Sequence, residues 1–246
     1  MNDLEQKYAD FVSTLSHELR TPLTSIKGFA QTLLMAGDKL DEKQKEKFLI
    51  IIKEQADRLI KMVENLLALS RLENNNTLLV FKQTNVDNLL EQTIQIVKSQ
   101  YPKHIFNYDK RNNLPLVYTD ADKLQQVMVN LIENAAKYSD EGKNVIVKPE
   151  IKEQFLSIKV IDEGIGIAKE DLEKIFKKFS RLDTPLTRKT QGSGIGLYIT
   201  KTLIEKLHGS ISVDSSANGS TFEVKIPLVD PEQQIQDKLK ENENAG

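Results

Sequence analysis

The chain has 246 residues, and its 34 basic and 36 acidic side chains leave a formal net charge of −2, a balance that gives no electrostatic footprint for nucleic acid or an anionic membrane. It holds no cysteine and only three histidines, which excludes disulfides and thiolate metal sites and argues against a histidine-rich metal centre. No apolar run approaches the ~18 residues of a membrane span, and no signal peptide opens the chain.

Residues 1–73 read as an antiparallel helical hairpin. Leu4 to Met35 carries helical periodicity, with Tyr8, Phe11, Leu15, Leu19, Leu23, Ile26 and Leu33 on one apolar stripe. His17 lies off that stripe. Its neighbours three and four residues away are Ser13, Thr14, Arg20 and Thr21, all polar. An imidazole on the wet face of a helix can meet a reactant; alone, it is equally a solvated surface histidine. Pro22 cannot donate to the carbonyl of Glu18, so it reads either as a tolerated proline or as a hinge beside His17.

Ala36-Gly37-Asp38 breaks the first helix. The second is expected from Asp41 to Leu72. Phe48, Ile52, Leu59, Met62, Leu66 and Leu69 fall at heptad spacing, with Gln55 in the gap. That spacing describes a coiled-coil-like seam. Two such helices alone bury too little, so a homodimer pairing two hairpins into a four-helix bundle is expected.

Residues 74–80 are a linker opening on Asn74-Asn75-Asn76. Residues 81–229 read as mixed helix and strand. Helices are expected at Val86 to Ser99, Asp120 to Tyr138, Asp171 to Phe176 and Gly194 to Leu207. Strands are expected at Ile105 to Tyr108, Leu116 to Tyr118, Asn144 to Lys148, Phe155 to Ile161, Ile211 to Val213 and Thr221 to Ile226. This is an α+β sandwich with helices on one sheet face. Residues 230–246 form a polar tail.

Four segments of this second region point the same way, the last of them Asn218-Gly-Ser-Thr221, a turn before the final strand. In Asn130-Leu-Ile-Glu-Asn-Ala-Ala-Lys-Tyr138, Asn130 and Asn134 are four apart and share a helix face. Their neutral oxygens suit Mg²⁺, and Lys137 adds a cation; read alone, the segment is equally a solvated polar face. Asp162-Glu-Gly-Ile-Gly-Ile167 follows a strand directly. Its carboxylate can accept from an exocyclic amine, as on adenine, and Gly164 and Gly166 allow close backbone approach to a flat ligand; alone, the segment is an ordinary turn. Gln191-Gly-Ser-Gly-Ile-Gly-Leu197 opens a helix, whose N-terminus favours an anion. It lacks the Gly-Lys-Ser/Thr of a Walker A loop and the preceding strand of a dinucleotide fingerprint. The polar stretch from Arg181 to Thr190 reads as a flap with Arg181, Arg188 and Lys189 available to phosphate.

Taken together, these segments resemble the boxes of bacterial two-component sensor histidine kinases, in that family's order, over about residues 5–228. Ser16-His-Glu-Leu-Arg-Thr-Pro-Leu23 is similar to the H-box, Asn130 to Tyr138 to the N-box and Asp162 to Gly166 to the G1 box. Phe176-Lys-Lys-Phe-Ser-Arg181 resembles the F-box and Gly192 to Leu197 the G2 box. The resemblance implies a dimerisation and histidine-phosphotransfer hairpin followed by a Bergerat-type (GHKL) ATP-binding domain. It implies His17 as phosphoacceptor, Glu18 as its base and Thr21 as the residue that orients water in a phosphatase reaction. Asn130 and Asn134 would hold Mg²⁺. Lys137, Tyr138, Asp162, Gly164, Gly166, Phe179, Arg181 and Thr221 would bind ATP, together with Gly192, Ser193, Gly194, Ile195, Gly196 and Leu197. The partner it implies is a response-regulator receiver domain in trans. Lys178 stands where the family often has arginine, and Gln191 where it often has glycine or proline. Because Met1 falls close to the reactive helix, the chain is expected to be the cytoplasmic portion of a membrane-anchored sensor. The rival reading is another Bergerat-type ATPase of the gyrase, chaperone or mismatch-repair class, with Glu133 as its base.

Overall fold

The computed structural model describes residues 3–74, 77–110, 114–178, 180 and 194–229, and for residues 3–12, 14 and 38 the backbone alone. The chain divides into two compact units, Met1–Asn74 and Asn75–Gly246. No helix among the described residues is long and apolar enough to cross a membrane.

The first unit is the expected hairpin, α1 (Asp3–Ala36) and α2 (Glu42–Glu73), joined through a single 3₁₀ turn, Gly37–Lys39. Asp41 starts α2 with a capping box. Its carboxylate accepts from the Gln44 N–H at 2.7 Å, and the Gln44 side chain accepts from the Asp41 N–H at 3.1 Å. Such a cap stabilises a helix by about 1 kcal/mol. Phe29 packs on Phe48 with ring centroids 5.1 Å apart, tying α1 to α2.

The inward seam of α1 differs from the expected stripe at one place. Leu15, Leu19, Ile26, Phe29 and Leu33 are half-buried and Pro22 is buried, whereas Leu23 is 54% exposed. The seam therefore keeps strict 4-3-4-3-4 spacing by running through Pro22 and Phe29. On α2 the expected seam is inward, with Met62 and Leu69 buried. A second apolar row (Leu49, Ala56, Ile60, Val63 and Leu67) lies one residue further round, and its large side chains are 47–57% exposed. A single hairpin thus leaves much of its apolar surface in water.

The second unit contains β1 (Lys82–Thr84), α3 (Val86–Gln100), β2 (Ile105–Tyr108), β3 (Val117–Thr119), α4 (Ala121–Lys137), β4 (Asn144–Lys152) and β5 (Phe155–Asp162). It closes with α5 (Gly196–Lys206), β6 (Ser210–Ser216) and β7 (Gly219–Pro227). Five strands form one sheet in the order β2-β4-β5-β7-β6, with β2 and β4 parallel and the other neighbours antiparallel. The strands β1 and β3 pair separately.

Alternation explains the core. Val145 and Val147 of β4, Ile158 and Val160 of β5, and Val224 and Ile226 of β7 are buried; α4 packs on β4 and β5, and α3 and α5 pack against α4 and on the outer strands β2 and β6. Each such side chain contributes about 1.5–3 kcal/mol of burial. The opposite sheet face carries Lys148, Lys159 and Glu223. This is the expected α+β sandwich with helices on one face.

Two local expectations are corrected. The polar strand β1 has no period-2 signal and was not expected. The helix expected at Asp171 to Phe176 is a 3₁₀ turn, Lys169–Asp171, running into further turns. Only Ile175 of that segment is buried, too little apolar anchorage to offset the cost of nucleating a regular helix.

Candidate active site

The chemistry-bearing residues fall in both units. On α1, His17 is exposed, as are Ser13, Arg20 and Thr21; the side chain of Thr14 lies outside the described residues. The polar face read from the sequence is therefore a wet one. The Thr21 hydroxyl donates to the backbone carbonyl of His17 at 3.2 Å. That contact fixes the hydroxyl hydrogen and turns the oxygen lone pairs toward solvent. Glu18, the next residue round the helix, points toward α2, and its Oε2 accepts from Nη2 of Arg58 at 2.9 Å.

In the second unit the site is assembled from the C-terminal half of α4, the end of β5, the start of α5 and the start of β7. Asp120 caps α4, accepting from the Lys123 N–H at 3.0 Å. Asn130 donates from Nδ2 to Oγ1 of the buried Thr200 at 2.8 Å. Its amide oxygen faces Gly196, where a Cβ would stand 2.7 Å away. The donor half of the amide is thus committed, and the oxygen is left as a hard acceptor. Asn134 is half-exposed one turn on. Two amide oxygens on one helix face fit a Mg²⁺ that keeps water and takes phosphate oxygens.

Tyr138 ends α4, with the Lys137 ammonium 5.2 Å from its ring centroid. Its carbonyl accepts from the Ile165 N–H at 3.3 Å, which ties α4 to the loop after β5. Close packing there requires glycine. A Cβ on Gly164 would lie 2.4 Å from the Tyr138 carbonyl oxygen, and one on Gly166 would lie 1.7 Å from that of Ser216.

Asp162 is buried, at 7% exposure. Its Oδ1 accepts two backbone N–H groups, from Gly164 at 2.9 Å and Ser220 at 3.1 Å. Its other oxygen has no partner among the described residues. Burial pushes its carboxyl above the usual carboxylate range, and the two N–H donors oppose that shift. A buried carboxylate with one oxygen fixed and one open suits an exocyclic amine.

Ser220 was missed by sequence reasoning, which singled out Thr221. Residue Ile161 pairs with Thr221, so Ser220 stands beside Asp162 and Thr221 lies on the opposite sheet face. Ser220, and not Thr221, is therefore the neighbour of the Asp162 carboxylate. Thr200, which orients Asn130, was also missed. Both partners lie far along the chain, and no local motif marks them.

Helix α5 begins at Gly196 with no side-chain cap at Ile195. Gly194 has φ +67°, and Ile195 is buried. Among the described residues no side chain caps the first N–H groups of α5, and a helix start of this kind suits an anion, which the helix dipole also favours. Gly194, Ile195, Gly196 and Leu197 thus sit at a helix start, as read. Lys178 holds its ammonium 5.0 Å from the Tyr198 ring centroid. Phe179, Arg181, Gly192 and Ser193 lie outside the described residues.

Comparison with known proteins agrees with this arrangement. Residues 7–75 match the His Kinase A (phospho-acceptor) domain. Residues 119–230 match the histidine kinase-, DNA gyrase B- and HSP90-like ATPase family. The sensor histidine kinase WalK of Bacillus subtilis (strain 168) is 34% identical over 230 residues, covering 91% of this chain and 37% of WalK. The sensor protein KdpD of Clostridium acetobutylicum is 30% identical over 224 residues, covering 91% of this chain and 25% of KdpD. Among solved structures, the Acinetobacter baumannii histidine kinase AdeS superposes with a TM-score of 0.67 at 29% identity, over 87% of this chain and 98% of that one. Histidine kinase ThkA, in its complex with response regulator protein TrrA, superposes with a TM-score of 0.69 at 25% identity, over 92% and 64% of the two chains. The chain spans between a quarter and a half of the length of these curated relatives. The phosphoacceptor match over the hairpin sets aside the gyrase, chaperone and mismatch-repair readings, in which Glu133 served as base. The chain belongs to the sensor histidine kinases, of which it carries the catalytic portion: a phosphoacceptor hairpin followed by a GHKL-type ATPase domain.

Proposed function

We propose that this chain uses ATP to phosphorylate His17, passes the phosphoryl group to an aspartate of a response-regulator receiver domain in trans, and dephosphorylates that regulator with the help of Thr21. The observation that carries the reading is His17, exposed on a polar helix face in a chain whose second unit also holds the buried carboxylate of Asp162.

One imidazole nitrogen attacks the γ-phosphorus with its lone pair while the bond to the bridging oxygen breaks and ADP leaves. Glu18 accepts the proton of the other ring nitrogen, so His17 carries the phosphoryl group without a positive charge. Asp162 accepts from the adenine amino group, with the backbone N–H of Ser220 holding the carboxylate in place. Tyr138 and Lys137 contact the nucleotide, and the start of α5 with the residues before it receives the phosphates. Asn130 and Asn134 would hold Mg²⁺, which neutralises charge on the phosphate oxygens when bound. The protein supplies positioning more than covalent chemistry.

Exposed apolar rows on the hairpin support a homodimer through a four-helix bundle. The complex of ThkA with a response regulator supports a receiver domain as partner. The longer relatives named as sensors support a whole protein anchored in a membrane, with this portion on the cytoplasmic side.

Incubation with labelled ATP and Mg²⁺ tests the reading. The expected label is acid-labile, alkali-stable and lost in His17→Gln, which keeps ATP binding. An acid-labile label that persists in His17→Gln would overturn the assignment.

A further inference from the structure

Where the Glu18 side chain points is set by α2. His17 and Glu18 are consecutive on α1, so their side chains leave the helix about 100° apart. His17 projects into water, whereas Glu18 is held against Arg58 at 2.9 Å, with the two side chains only 15% and 18% exposed. The pairs Lys45–Glu42 and Lys53–Asp57 are local contacts within α2, and each has a partner at least 80% exposed. Solvated pairs of that kind hold little. The Glu18–Arg58 pair differs on two counts: it bridges two helices, and it is largely withdrawn from water. A planar guanidinium also fixes a carboxylate in direction as well as distance.

We propose that Arg58 is a positioning residue for the phosphorylation of His17, one that holds Glu18 on α2 and off the imidazole until the ion pair opens. The inference rests on the assignment of Glu18 as the base. In the resting hairpin the carboxylate is turned to the inner side and the nucleophile to the outer. Phosphorylation requires Glu18 to exchange a guanidinium for the imidazole N–H. Dephosphorylation of a regulator through Thr21 uses no group on Glu18, and the ion pair leaves it untouched. Arg58 therefore weights the hairpin against acquiring a phosphoryl group without weighting it against removing one.

The test compares the intact chain with Arg58→Met and Arg58→Lys at saturating ATP and Mg²⁺. It reads the initial rate of His17 labelling, the KM for ATP, helix melting and the dimer mass. Arg58→Met is expected to label on the order of 5-fold faster with KM unchanged, a population shift at the upper end of what a solvated pair can hold, as suits a pair largely withdrawn from water. Arg58→Lys keeps the charge without the planar fork and is expected to fall between wild type and Arg58→Met. A purely structural role would lower the rate together with melting temperature and would not raise it. Should Arg58→Met lose its fold, Arg58→Gln removes the charge while keeping a donor, and the same comparison applies. Labelling of wild-type His17 with an equal or slower rate in the neutral variant overturns the inference alone. Absence of label on wild-type His17 overturns the proposed function and the inference with it.

Discussion

At Asp162 the proposed nucleotide contact and the stability of the fold pull in opposite directions. Burial raises its carboxyl above the ordinary range, and the N–H groups of Gly164 and Ser220 only partly oppose this. A group raised in the folded state stabilises it below the unfolded value, and that contribution is lost as pH climbs through the folded one. At neutral pH the Asp162 charge therefore works against the nucleotide-free fold. Asp162→Asn is expected to melt at the same or a higher temperature at pH 7, with the advantage shrinking as the protein is acidified through the carboxylate range. Its ATP affinity is expected to fall by about 1.5–3 kcal/mol, the loss of a charge-assisted hydrogen bond. Calorimetry and melting at two pH values read both effects; unchanged ATP affinity would leave Asp162 as a turn residue. The carboxylate itself was legible, because a strand, an acid and two glycines are contiguous. Its partner was not. Ser220 lies 58 residues away, and pairing depends on strand register, where a slip of one residue selects the opposite face. The same distance effect hid Thr200, 70 residues from Asn130, and Arg58, 40 residues from Glu18.

At the level of elements, α2 separates what periodicity reveals from what it does not. The seam through Phe48, Ile52, Leu59, Met62, Leu66 and Leu69 is visible as a heptad, and it is the row that faces α1. The adjacent row through Ile60, Val63 and Leu67 has the same spacing. Its meaning emerges only when the first row is seen to exhaust the contact with α1. If the second row is the seam between hairpins, Leu67→Glu places a carboxylate in the dimer core. The dimer dissociation constant is then expected to rise at least about 100-fold, the cost of desolvating an unpaired charge, with helix content kept. Sedimentation measures it, and a dimer of wild-type affinity would place the interface elsewhere. Short elements were legible only where they alternate: Ile105–Tyr108 was expected as found, whereas Lys82–Thr84 is all polar and gave no signal.

At the scale of the whole molecule, the division was legible as a change of pattern, from uninterrupted helical periodicity to short mixed elements at the asparagine run. The sheet and its helices lie wholly within the second unit. A fragment of residues 75–229 is therefore expected to bind ATP within a few-fold of the full chain and to take no label. Loss of ATP binding in that fragment would show that the hairpin contributes to the nucleotide site. The tether between the units has a further consequence. The Asp120 carboxylate that caps α4 also accepts from the Val80 N–H at 2.8 Å, which pins the entrance of the second unit. Six residue steps separate Val80 from Asn74, the cap of α2, and at ~3.3–3.6 Å per step they reach roughly 20 Å. If the second unit holds ATP as proposed, so short a leash would present the nucleotide to a hairpin, that of its own chain or of a dimer partner, at an effective concentration of about a millimolar. Phosphorylation then needs orientation rather than affinity, so the surfaces that meet during transfer can part easily afterwards. Cutting the leash would turn a first-order reaction into a second-order one.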